Sequence, residues 1–511
     1  MKKMIAGLLC VVMALGLLAG CQAGPDHIPT GGGLHQETTA TRPTHLPEKE
    51  QVLTLGFDPD SSLNPYTATN LNNRLLFSVM YQGLFSVDAA YNLHPILCKS
   101  YTVSRDMRTY TFYLEQATFA DGTALTAHDA AESLKAAWKS PVYQGRFSQI
   151  TAITVTDDGG VQVNLSIPYA ELPLLLDVPI VRAGQVNADH PDGTGLYTWD
   201  ETLSGPRLLR RSNWWCRASL AATASQISLL EVDAPTTLRD DFEFGNISLV
   251  CTDPGMDTYV DYRCDYELWD CENGVFLYLS CNKKKTVFKN AQVRAALTHA
   301  IDRSLLVTDH YRGFAVGATL PASPDSPWYH DTLAQQYGYD PDIFRNALEE
   351  ANLVGASVTL LVNKEDSRRV RAARSIAAML TEAGLTVKLS ILGGEDYTKA
   401  LKNNNFDLHL GQTRLSANMD LSAFFNPKGA LNFGNLGNAE IFALCQEALA
   451  NEGNYYTLHR QIMEDGSLVP ILFRSYAIYG QRGLLDTLQP ARDHIFFYTL
   501  GKDPEAIRTQ L

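Results

Sequence analysis

The chain lacks the short motifs that carry common enzyme chemistry. It has no G-x-S-x-G elbow, no G-x-x-x-x-G-K-[ST] phosphate loop, no H-E-x-x-H zinc helix and no strand-linked G-x-G-x-x-G. Its 12 histidines include no i, i+4 pair, so no helix presents a ready metal face. Carboxylates are numerous, but a linear sequence does not pair them across space. Basic clusters are missing as well. The formal net charge is −14, which disfavours nucleic acid and anionic lipid surfaces as partners. Apart from the N-terminus, no apolar run is long enough to span a bilayer. Nor is there a C-x-x-C. Setting Cys10 and Cys21 aside leaves Cys98, Cys216, Cys251, Cys264, Cys271, Cys281 and Cys445, an odd set whose spacing fits no zinc pattern. Buried structural thiols are the expectation. No cofactor is implied.

What the chain does have begins at residue 1. Lys2 and Lys3 form a basic head, and Met4 to Leu18 is a short apolar run. Leu18-Ala19-Gly20-Cys21 follows, which resembles the lipobox of bacterial lipoproteins, where the cysteine is acylated and becomes the new N-terminus. The expectation is a signal peptide at 1–20, lipidation at Cys21 and an extracytoplasmic protein anchored by lipid to the cell membrane. Residues 21–51 hold Pro25, Pro29, Gly31-Gly32-Gly33, Pro43 and Pro47 with little to bury, so a flexible linker is expected. His27, His35 and His45 are scattered along it rather than set at ligand spacing.

From Val52 the pattern is mixed α/β. Leu71, Leu75, Leu76, Val79 and Met80 recur at helical spacing. Thr126 and Asp129 make a capping box ahead of a helix reaching Trp138, and Ile153 to Leu165 reads as a hairpin. Further on, Val358 to Val362 is a strand and Asp366 caps a helix ending near Gly384. Val387 to Ile391 is the next strand, Tyr397–Lys402 a short helix and Phe406 to Leu410 a third strand. Strand, helix, strand, helix, strand implies parallel pairing with right-handed crossovers. Ligands of such sheets sit beyond the carboxyl ends of the strands, here residues 411–418 and 393–397.

Several ordered segments carry a resemblance. They are Leu63-Asn64-Pro65-Tyr66, Tyr81-Gln82-Gly83-Leu84 and the run Phe119-Ala120-Asp121-Gly122-Thr123-Ala124-Leu125-Thr126-Ala127-His128-Asp129. Gly193-Thr194-Gly195-Leu196-Tyr197, Asn213-Trp214-Trp215, Ala300-Ile301-Asp302-Arg303 and Asp340-Pro341 follow in order. Together they resemble the extracellular solute-binding proteins of family 5, the peptide and nickel receptors of ABC importers. The resemblance implies an α/β, two-lobed clamp of the periplasmic-binding-protein kind with an extra α+β subdomain. Lobe I would combine 52–88, 189–274 and 483–511, with 89–188 packed on it. Lobe II would be 275–482, and the chain would cross between lobes near Ser280–Asn282 and Gly480–Gly483. The implied partners are a peptide or peptide-like solute and an ABC permease with its ATPase. The protein itself would be a monomer that performs no chemistry.

The resemblance departs at the site. Peptide receptors of this family hold the ligand's α-ammonium with an aspartate after the 406–410 strand, and here Ala417 takes that position. Arg414 is then the conspicuous charge, with Asp420 three residues late. The expected ligand-binding residues are Asn64, Tyr66, Tyr397, Arg414 and Asp420, with Arg414 facing the interlobe cleft and Asn64 and Tyr66 approaching it from the opposite lobe. The alternative for Arg414 is a scaffold ion pair. The alternatives for the whole protein are a receptor for a metal chelate, kept open by His409, a secreted hydrolase, and a sensory lipoprotein without a permease.

Overall fold

Two strands of unusual length organise the molecule. Glu267–Cys281 and Leu468–Gly480 pair antiparallel and run through the middle of an 11-stranded sheet. At about 3.3 Å per residue, each spans more than one lobe needs. The computed structural model describes residues 53–484 except 204, 217–218 and 221–223, then 488–493, 495–496, 498–499 and 508–510. The proposed signal peptide, Cys21 and the linker lie outside the described residues.

On one side of the long pair, Leu408–Arg414 pairs antiparallel with Glu267–Cys281, followed by Ser357–Asn363 and Thr386–Leu392 in parallel. This is the strand–helix–strand unit that the sequence implies. Helix Ser367–Glu382 begins at Asp366, whose carboxylate accepts from the Arg369 amide at 2.9 Å. On the other side, Leu249–Thr252 pairs with Leu468–Gly480, and Leu53–Phe57 lies parallel between Leu249–Thr252 and Gln226–Glu231. Gly205–Arg210 and Tyr197–Thr202 complete that edge. A separate five-stranded sheet holds Cys98–Val103, Thr109–Leu114, Val161–Leu165, Ile150–Val155 and Arg508–Gln510. Helix Ala127–Lys139 packs on it, its start closed by the Thr126–Asp129 capping box.

The long pair is interrupted where the two sides of the sheet meet. Its register shifts between Glu272 and Phe276, and Gly274 sits in that bulge at φ +79°. Glycine takes that conformation without strain, and a β-carbon there would run into the Arg492 guanidinium.

All seven described cysteines are free thiols; five are buried and Cys251 and Cys264 partly so. Arg294 and Asp302 are both engaged within the scaffold. Arg294 donates to the carbonyls of Phe288, Lys289 and Asp465, and Asp302 caps helix Arg303–Tyr311. The carbonyl of Asp465 belongs to the last residue of helix Tyr455–Asp465, which ends in a left-handed Gly466 at φ 65°. A β-carbon there would lie 2.4 Å from the amide nitrogen of Ala295. Gly466→Ala therefore combines backbone strain with a clash against backbone, and is expected to cost about 2–4 kcal/mol. The urea midpoint checks this; a shift no larger than that of a surface Gly→Ala control would refute it.

Candidate site at the carboxyl ends of the parallel strands

The three parallel strands Leu53–Phe57, Gln226–Glu231 and Leu249–Thr252 end in Asp58, Val232-Asp233 and Asp253, around a crevice of about 370 Å³. That volume falls within the roughly 300–1,000 Å³ of small-ligand sites, and the place is where open α/β sheets bind. Helix Leu71–Met80 starts at its rim. Asn70 caps this helix by accepting from the amides of Asn72 and Asn73. The carboxylates of the crevice are engaged. Asp58 accepts from Ser61 Oγ at 2.6 Å and Asn70 Nδ2 at 3.0 Å. Asp253 takes two bonds from Arg474 Nη2, at 2.7 and 2.8 Å.

The crevice is lined by the carboxylates Asp58, Asp233 and Asp253 and by one cation, Arg74. Arg74 and Tyr476 line the crevice, and behind them lies a knot of charge. Asp493 receives Arg74 Nη2 at 2.8 Å, Arg146 Nη2 at 2.6 Å and Arg414 Nη2 at 2.9 Å, with Arg492 Nε at 3.7 Å. Arg146 also pairs with Asp177. Burial by itself would raise the Asp493 pKa, but the guanidiniums of Arg414, Arg146, Arg74 and Arg492 outweigh it and hold the carboxyl well below the usual range. Asp493 reciprocally raises Arg414, Arg146 and Arg74 against the downward pull of their burial.

Arg414 ends its strand rather than sitting in a loop. Leu408–Arg414 runs four residues past the expected end because all seven of its residues pair with Val275 to Cys281. Its side chain, 27% exposed, donates to Asn273 O at 2.8 Å and Arg492 O at 3.1 Å as well as to Asp493. It does reach residues of the opposite side of the sheet, but as part of this knot.

The remaining expected residues are not gathered around it. Asn64 Nδ2 donates to Val186 O and Ala188 O, and Tyr66 Oη to Pro179 O at 2.9 Å. Both line a different cavity, of about 420 Å³, that contains no residue beyond Asp189. Tyr397 shares a hydrogen bond of 2.8 Å with His409 Nε2, while Ser280 Oγ lies 3.4 Å from Nδ1. Burial pushes His409 down to about 3, so it is a neutral, packed residue in this position. Asp420 is turned inward, accepting from the Ser422 amide at 2.8 Å, and burial raises its pKa. Beside it, Asn418 Nδ2 donates to Tyr169 Oη at 2.6 Å and Ala170 N to Leu449 O at 2.7 Å, closing one flank of the molecule.

Arg74, Arg146, Asp177, Arg492 and Asp493 were not anticipated. Arg74 and Asp493 stand 419 residues apart, and no local pattern joins them.

With that geometry in place, the likeness to known proteins is specific. The model described as "Bacterial extracellular solute-binding proteins, family 5 Middle" matches residues 92–432. The chain belongs to that family. It is an extracytoplasmic solute-binding protein by membership. It is 27% identical over 365 residues, 67% of this chain and 70% of the relative, to the glutathione-binding protein GsiB of Escherichia coli O1:K1 / APEC. Among solved structures, the unliganded open form of MppA, a periplasmic murein tripeptide binding protein, superposes with a TM-score of 0.72 at 16% identity, covering 88% of this chain and 98% of that one. NikA from Brucella suis in complex with Fe(III)-EDTA gives 0.65 at 20% identity, covering 87% and 98%. These likenesses confirm the two-lobed α/β fold.

Proposed function

We propose that the chain is the lipid-anchored receptor of an ABC importer, capturing a peptide or peptide-like polar solute between two lobes and passing it to a permease and ATPase. The observation that carries this is the 370 Å³ crevice at the carboxyl ends of the parallel strands, in a chain of family 5. The glutathione and murein tripeptide named for two similar proteins are of a size with such a crevice. Lobe I would comprise 52–88, 189–274 and 483–511 with 89–188 packed on its side, and lobe II 275–482. The hinge would lie at the bulge Glu272–Phe276 rather than near Ser280–Asn282 as expected, because the pairing of the two long strands shifts register at that bulge. The receptor works as a monomer and makes or breaks no covalent bond in its cargo. Native mass spectrometry of purified protein tests this: a retained small solute supports it, and turnover of peptides that vanishes on one point mutation defeats it.

A second reading keeps the fold and changes the cargo to a metal chelate, as in the Brucella suis protein. Arg74 in the crevice lining favours it, because a carboxylate of a chelator would suit its guanidinium. Among the described residues no group of three or more His, Cys, Asp or Glu could hold a bare metal. Metal in the retained solute, seen by the same mass measurement, decides between the two.

The anchor has its own test. Cys21→Ala should move the protein from the membrane into the soluble or cell-wall fraction with its melting temperature unchanged, because a linker of this composition is expected to bury little. Membrane association that survives the substitution would sink the lipid-anchor claim.

A further inference from the structure

Under the crevice, Arg74, Arg146, Arg414 and Arg492 share Asp493, and Arg146 also pairs with Asp177. Buried guanidiniums are costly to leave without counter-charge and acceptors. Arg492, 5% exposed, donates from Nη2 to Leu415 O, yet its Nε and Nη1 have no hydrogen-bond partner. Nearby, Asn273 is fully buried, and its Nδ2 is equally without one. These are donors waiting for an acceptor.

The place they surround connects to the crevice. Arg492, Asp493, Arg74 and Tyr476 line a void of about 30 Å³, and Arg74 and Tyr476 also line the 370 Å³ crevice. A void of that size holds about one water, so a carboxylate enters only if Asp493 leaves. The arginines come from elements far apart. Arg414 ends the strand Leu408–Arg414, Arg74 lies on helix Leu71–Met80, and Arg146 lies on the turn Gln144–Arg146. An anion seated among them ties these elements together.

We propose that this arginine nest is an anion subsite, that Asp493 fills it as a built-in stand-in, and that a carboxylate of the transported solute displaces Asp493 on binding. The ligand class is then a small solute bearing at least one carboxylate that enters the crevice first. Displacement exchanges one set of charge-assisted bonds for another, so it is selective for anions with a planar fork-to-fork fit. The inference rests on the receptor reading only for the nature of the displacing solute.

The test supplies the missing carboxylate from solution. Asp493→Ala in the mature protein should melt roughly 5–10 °C below wild type in chloride. Acetate at about 0.1 M should restore at least half of that loss, whereas chloride at equal ionic strength should not. Wild type, its nest filled, should respond equally to the two salts. Asp493→Asn, which keeps the volume, is measured alongside. Should either variant fail to fold in chloride, folding recovered in acetate alone supports the proposal, and no recovery in either salt overturns it. Acetate and chloride acting alike on a folded variant also overturn it. Because acetate is the probe, this result is independent of the cargo, whose absence would show separately as no solute retained in native mass spectrometry.

Discussion

Asp253→Ala is expected to destabilise the protein by about 3–5 kcal/mol, among the largest single effects open to a crevice residue. Its partner Arg474 is 2% exposed and takes both Asp253 oxygens through Nη2, while Nε has no hydrogen-bond partner and Nη1 reaches only Gln412 at 3.4 Å. Desolvation would lower the Arg474 pKa, and Asp253 more than reverses it, which measures how far the charge depends on this one carboxylate. Truncation leaves a buried cation that has lost its hydrogen-bonded carboxylate, with Asp366 acting on it only through space. Gly255 lies so near that a β-carbon on it would meet the guanidinium at 2.3 Å, so the site cannot relax inward. Asp253→Asn keeps the shape and an acceptor and should cost roughly half as much. Urea unfolding of the two variants checks the order; a loss below about 1 kcal/mol for the alanine variant would show the pair to be a surface-grade contact. The pair also has a functional position, because Asp253 walls the crevice while Arg474 sits on the long strand Leu468–Gly480. Loosening it should therefore weaken solute capture as well as stability.

Local chemistry was legible in the sequence wherever a short stretch decides its own conformation. The Thr126–Asp129 box, the Asp366 cap and the parallel strand–helix–strand unit all depend on residues a few positions apart. The order of short motifs added the fold, since each marks a turn or cap of the same scaffold. The end of the Leu408–Arg414 strand was not legible, because its length is set by pairing to residues 275–281, more than 120 positions away. The grouping of the expected site residues was not legible for the same reason. Asn64 was expected to meet a ligand, but its amide is used to fasten residues 186 and 188. The charged knot under the crevice joins Arg74, Arg146, Arg414 and Asp493, and no periodicity or spacing rule links positions so distant. Only Arg414 was marked out, by the absence of an aspartate at Ala417. Its alternative, a scaffold ion pair, is what Arg414 makes with Asp493, a partner that no local pattern identifies.

As pH falls below about 6.5, two buried histidines pull the stability of the fold down, while Asp325, whose carboxyl burial raises to about 6, pulls it up over part of the same range. His409 and His459 are 2% and 0% exposed, and burial pushes both down to about 3. His409 at least keeps Tyr397 and Ser280 as partners, whereas neither ring nitrogen of His459 has a hydrogen bond. In the unfolded chain each would titrate near its ordinary value of about 6.5. Since the folded value lies below the unfolded one, the unfolded chain takes up the proton first, and protonation favours unfolding. The stabilisation is therefore complete above about pH 6.5 and is lost progressively as pH falls towards 3, at up to about 1.4 kcal/mol per pH unit for each histidine. Asp493, held below the usual carboxylate range, contributes stability that is present above its unfolded value of about 3.9 and lost only at lower pH, so it does not confuse the upper part of the window. Urea unfolding at a series of pH values from 7 to 4.5 should show the combined slope, and His459→Phe should remove about half of the histidines' share of it while costing little at neutral pH, because no hydrogen bond is broken. An unchanged slope in that variant would mean that His459 reaches solvent in the folded protein. For a protein on the outer side of the cell membrane, which meets the pH of its surroundings directly, these two rings would then set the acid limit of a working receptor.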